Sequence, residues 1–138
     1  MKATNNYQSF NDRKSIEELQ YNMLQNKTKI EEEIIEYKFY QNLIKASIYN
    51  TSVTNLLETL ENYKQEMKLI ENEAFELLVE INVHSNSISN KIECDDLFCD
   101  NYFIKSHDDL DEKIHDYFMK CTSFKNKLFH YLESVLKI

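Results

Sequence analysis

Apolar residues recur along this chain at steps of three, four and seven, the spacing that lines one face of an α-helix. The first series runs Ile16, Leu19, Met23, Ile30, Ile34, Tyr37, Ile44 and Ile48 and predicts an amphipathic helix over about residues 15–50. The run SIEEL marks its start: the Ser15 side chain can accept the Glu18 amide while the Glu18 carboxylate reaches back, a capping box. A second register, Val53, Leu56, Leu60, Tyr63, Met67, Ile70, Ala74, Leu77 and Ile81, misses no step, and His84 and Ile88 extend it. It predicts a helix over about residues 54–92. A third, Leu110, Ile114, Tyr117, Cys121, Phe124, Leu128, Tyr131, Val135 and Ile138, predicts a helix over about residues 107–137. Ser106 is placed to cap it with Asp109 at the reciprocal position. Asp108, Asp109, Asp111 and Glu112 crowd its first turns, where the positive end of the helix dipole favours acids.

The first two registers do not join. Residues 50–55 are rich in Asn, Thr and Ser, which suits a helix–helix turn, although a slip of phase in a continuous helix would also shift the face. Residues 1–14 are polar and aperiodic and read as a mobile tail. An acidic linker is expected over about residues 93–106. The fold class is therefore all-α: long amphipathic helices in an elongated helical hairpin or three-helix bundle with coiled-coil character, forming a single helical domain over 15–138. Arms of thirty or more residues extend roughly 45–55 Å at the helical rise, which favours a rod over a compact enzyme domain.

Composition narrows the function. The chain has no Gly and no Pro. Phosphate-cradling loops, the dinucleotide fingerprint and the Gly-x-Ser-x-Gly nucleophile elbow all need glycine, so none is written here. The formal charge is −8, and Arg13 is the lone arginine. Neither nucleic acid nor an anionic membrane surface suits that balance. No apolar run approaches the length of a membrane span. Nor does the polar N-terminal segment read as a secretory signal. Three cysteines fit a reduced compartment better than a disulfide framework. The expected location is intracellular, cytoplasmic or nuclear.

The stretch KIECDDLFCDNYFIKSHDDLDEKIH, residues 91–115, gathers cysteines, histidines and acids. Cys94 and Cys99, with four residues between them, sit at the wide limit of a zinc knuckle and lack the glycine such a tight turn often uses, and His107 and His115 fall on different helical faces. The stretch reads as a loop whose Leu97, Phe98, Tyr102, Phe103 and Ile104 tuck onto the bundle, or alternatively as an acidic–aromatic docking segment. Cys121 lies on a core seam and reads as a small buried hydrophobe. His84, also on a seam, reads as a polar layer or a helix end meeting solvent. Most carboxylates fall off the apolar stripes; Glu33 lands on one. No catalytic residue, metal ligand or cofactor is expected.

Apolar surface beyond one seam points outward. In the first helix Tyr37 and Tyr40 follow the seam while Ile35, Phe39, Leu43 and Ala46 form a second stripe beside it, and in the second helix Phe75, Val79 and Val83 add apolar surface off the seam, more than one neighbour can cover. Tyr37, Phe39, Tyr40, Leu43, Phe75, Val79 and Val83, with Phe98, Tyr102 and Phe103, are the candidate partner-binding residues. The expected function is a non-enzymatic scaffold or adaptor subunit of a multi-protein complex. By architectural analogy alone this is of kinetochore, vesicle-tethering or cytoskeletal type, binding other proteins through coiled-coil seams as a homo- or hetero-oligomer. The alternatives are a self-contained bundle that binds and inhibits another protein, and a bundle with an interior ligand or metal site.

Overall fold

The protein, in a computed structural model, is three long helices: α1 (Ile16–Lys45), α2 (Leu56–Lys91) and α3 (Leu97–Val135). The described residues are 14–91 and 97–137; at 88–91 and 97–102 only the backbone is described. The polar tail lies outside them except for Lys14, and so does the linker segment 92–96.

The helices form an all-α three-helix bundle. Its direction is read from pairs of residues. Tyr37 meets Phe124, Tyr40 meets Phe129 and Tyr49 bridges Leu136, so α1 and α3 run parallel. Glu80, Glu73 and Glu66 pair with Lys113, Lys120 and Lys127, so α2 runs antiparallel to α3. Down the axis runs one continuous core that includes Ile30, Ile34 and Tyr37 of α1, Met67, Ile70 and Ala74 of α2, and Tyr117, Cys121 and Phe124 of α3. Full burial of a side chain such as Ile30, Met67 or Phe124 contributes roughly 1.5–3 kcal/mol before entropy is subtracted. A smaller cluster, Leu19 and Phe103 with Ile16 against them, closes the far end.

Helix α1 starts where the sequence places it. The Ser15 side chain accepts the Glu18 amide at 3.1 Å, and its hydroxyl approaches the Glu18 carboxylate at 3.4 Å. The helix stops at Lys45, about five residues before the expected end, and the chain turns through residues 46–55. Residues 50–55 are thus a turn and not a phase slip. The Asn50 side chain holds this turn by accepting the Ser52 amide at 3.1 Å and hydroxyl at 2.7 Å, a local bond that competes with helix. Asn55 stands at φ 59°, the left-handed region that glycine would ordinarily fill and asparagine tolerates best among the rest. The other end of the chain straps the turn: the Asn50 amide donates to the Val135 carbonyl and the Lys137 amide to the Ile48 carbonyl, both at 2.8 Å. Among the described residues this antiparallel bridge, Tyr49 with Leu136, is the whole of the β-structure.

Helix α3 corrects the expected linker. It begins at Leu97, ten residues before the expected 107, so residues 97–106 are helical. Stepping the α3 seam back from Leu110 reaches His107 and Phe103, and both are buried. Ser106 and Asp109 resemble a helix start but lie inside the helix, because Phe103 has Leu19 and His84 to pack on.

Candidate functional site

Two polar clusters interrupt the core, and both join helices distant in sequence. At the Phe103 end, His84 of α2 and His107 of α3 place Nε2 and Nδ1 2.8 Å apart. His107 is fully buried and His84 nearly so. Phe103 stacks on the His84 ring at a centroid distance of 4.9 Å and 14°. Asp111, one turn along α3, sits 3.6 Å from His107 Nε2, too long for a hydrogen bond but close enough to favour a proton there. With the His107 proton on Nε2, its Nδ1 accepts from His84 Nε2; the other tautomer reverses the roles. Burial pushes the His84 pKa from 6.5 down to about 4, with His107 adding to the fall and Asp111 opposing it. Burial lowers His107 as well, against Asp111 and Asp108, with Lys14 contributing in the downward direction. At neutral pH the pair is an uncharged hydrogen bond between two buried imidazoles.

The second cluster lies mid-bundle. Glu33, the carboxylate the pattern puts on the α1 seam, bonds Lys125 of α3 at 2.6 Å, and Glu36 adds a contact at 3.3 Å. Burial opposes the Lys125 charge, but the bond to Glu33 and the two carboxylates outweigh it, and the pKa rises. Beside them the Tyr37 and Tyr117 hydroxyls converge on the Cys121 thiol, neither with a well-formed hydrogen bond. Burial raises the Cys121 pKa, while the two hydroxyls pull it down. Such a thiol stays protonated and is a poor nucleophile. Among the described residues, no group of three or more His, Cys, Asp or Glu is arranged to hold a metal ion.

The candidate partner-binding residues divide by position. Tyr37, Tyr40 and Phe103 are buried, and Leu43 is partly buried against the core. Phe39, Phe75, Val79 and Val83 stand out in solvent, at 60%, 47%, 62% and 61% exposure, on faces turned from the core. The side chains of Phe98, Tyr102 and Cys99 lie outside the described ones, as does all of Cys94. Other exposed residues extend the α1 row: Tyr21, Leu24 and Ile35 share its outward face with Phe39. Phe39 contacts the Tyr40 ring at 5.9 Å, and Tyr40 meets Phe129 of α3 edge-on at 5.2 Å. The α1 row thereby continues across the bundle onto α3, where Phe129 is 44% exposed. Sequence reasoning missed Phe129, whose only signal is an apolar position one step off the α3 seam.

No protein-family model matches the chain, and comparisons with curated proteins and with solved structures likewise gave no match. No described helix is long and apolar enough to cross a membrane.

Proposed function

We propose that this chain is a non-enzymatic, intracellular helical subunit or adaptor that binds other proteins by helix–helix packing on its outer faces. One observation carries this reading. Phe39 and the row Phe75, Val79, Val83 stand in water at helical spacing on the sides of α1 and α2 opposite their own core. A helix apolar on two faces meets two neighbours. The seams themselves close on one another within the chain, so the outer rows are the surface left for a partner.

That same closure favours a second reading, a bundle that stands alone and inhibits one target protein. Size-exclusion of the tagged chain from native extract of its source cells tests both. The expected result is elution above the monomer mass, shifting to monomer for Phe39→Ser combined with Val79→Ser while helicity and thermal midpoint hold. An inhibitor gives a binary complex with one enzyme; a subunit gives a larger stoichiometric assembly. A free monomer in extract, unaffected by either substitution, overturns both.

A further inference from the structure

The α1 row and Phe129 carry more than a general docking surface. Ile35 and Phe39 are 68% and 60% exposed, Phe129 is 44% exposed, and Tyr40 fills the space between the two phenylalanines. The three rings form a chain of contacts across two parallel helices, with Tyr40 itself 7% exposed and the exposed apolar surface supplied by Ile35 and Phe39 on α1 and Phe129 on α3. Its border is acidic. Glu31 and Glu32 are exposed one turn before Ile35, the Glu36 side chain is 43% exposed, and Glu133 is exposed one turn after Phe129. Lys38 is the exposed base adjoining the row. Lys125 is held between Glu33 and Glu36, and Lys113, Lys120 and Lys127 are paired with α2 glutamates. These four α3 lysines are thus committed within the bundle, and the exposed Lys105 lies six turns before Phe129, so the charges bordering the seat are mainly acidic.

We propose that the Phe39–Tyr40–Phe129 row, with Ile35 beside it, seats a basic amphipathic helix of a partner protein. The proposal rests on the docking reading above and names its partner. An aliphatic edge spaced i, i+3, i+4, i+7 lies on the rings, and flanking Lys or Arg meets Glu31, Glu32, Glu36 and Glu133. A second copy of this chain is the wrong occupant, since it brings the same four carboxylates against themselves in a chain already at −8.

The test uses the full chain and two synthetic helical peptides with the same Leu edge, one flanked by Lys and the other by Glu, read by fluorescence anisotropy. The Lys peptide is expected to bind, with affinity falling as salt rises, and the Glu peptide to bind at least tenfold more weakly. Phe39→Glu or Phe129→Glu should weaken the Lys peptide tenfold or more, although each adds negative charge that nonspecific attraction would reward. Phe39→Ser repeats the loss without a charge change. Glu31→Lys with Glu32→Lys weakens it too, and Val79→Glu does not. No binding of the Lys peptide, equal binding of both peptides, or indifference to Phe39 and Phe129 each overturns the proposal. Loss with Val79→Glu alone overturns it while the outer-row reading survives on α2. That broader reading falls on its own test, when the chain is a free monomer in native extract.

Discussion

Lys125 Nζ stands 2.6 Å from Glu33 Oε1 across 92 residues of sequence, with the two side chains only 18% and 13% exposed. The other ion pairs of α3 lysines with α2 lie well out in solvent and contribute about 0–1 kcal/mol each. Removing one partner of a desolvated pair strands the other charge, which costs about 3 kcal/mol. Lys125→Met should therefore lower the urea midpoint sharply. Glu33→Leu combined with Lys125→Met should recover most of the loss, because both buried charges are gone and the remaining carboxylate, Glu36, is 43% exposed and keeps its water. A double variant no better than the single one would show that the pair's worth lies elsewhere.

The histidine pair sets a pH window. Both imidazoles have lowered pKa values in the folded chain, that of His84 near 4 against an ordinary 6.5. Between these limits the unfolded chain binds protons that the folded chain does not, so stability falls as pH drops through the window. Above about pH 6.5 the contribution is fully present and flat. Below it the loss approaches about 1.4 kcal/mol per pH unit for His84, and His107 adds in the same direction. Urea melts between pH 7.5 and 5 should show this slope, and His84→Phe with His107→Leu should flatten it. Equal slopes in both proteins would assign the effect to other groups.

The tyrosines should separate by their hydroxyls. Tyr37 and Tyr117 bury oxygens that face the Cys121 thiol without a well-formed hydrogen bond, so Tyr37→Phe and Tyr117→Phe should be neutral or stabilising by up to about 1 kcal/mol. The Tyr40 hydroxyl donates to Glu36 at 2.9 Å. Tyr40→Phe should cost about 1 kcal/mol. Chemical denaturation of the three single variants, compared at one pH, decides the order.

Cys121 should be inert in the folded protein. It is 1% exposed and its thiol is pushed toward the protonated form by burial. In a Cys94→Ser, Cys99→Ser background, an aromatic disulfide reagent should react at a rate that tracks the opening equilibrium, rising steeply with urea. Fast labelling in native buffer would place the thiol within reach of solvent.

The helices were legible because burial has the period of the helix itself. Leu56, Leu60, Met67, Ile70, Ala74, Leu77 and Ile81 lie on the α2 seam and are all buried. Ile48 shows where that logic stops: it fits the α1 period, yet the helix ends at Lys45 and Ile48 is 38% exposed. The Asn50 side-chain bonds and the strap from Val135 and Lys137 decide that end, and the strap depends on residues more than eighty positions away. The polar clusters were hidden for a similar reason. Glu33 and His84 stood out as seam positions of the wrong chemistry. Their partners Lys125 and His107 are fixed by the rotation and stagger of one helix against another, which no single helix records. His107 also misled, since a polar residue before Leu110 made the seam look as though it began there.

Three passes is an odd number, and this has a mechanical consequence. The chain comes in beside His107, where Lys14 lies near the imidazole, and goes out beside Tyr49. Whatever is joined before Lys14 and after Lys137 is held apart by at least the 30 residues of α1, about 45 Å at the helical rise. The molecule is a strut with attachment points at opposite poles. Its length is set by residue count.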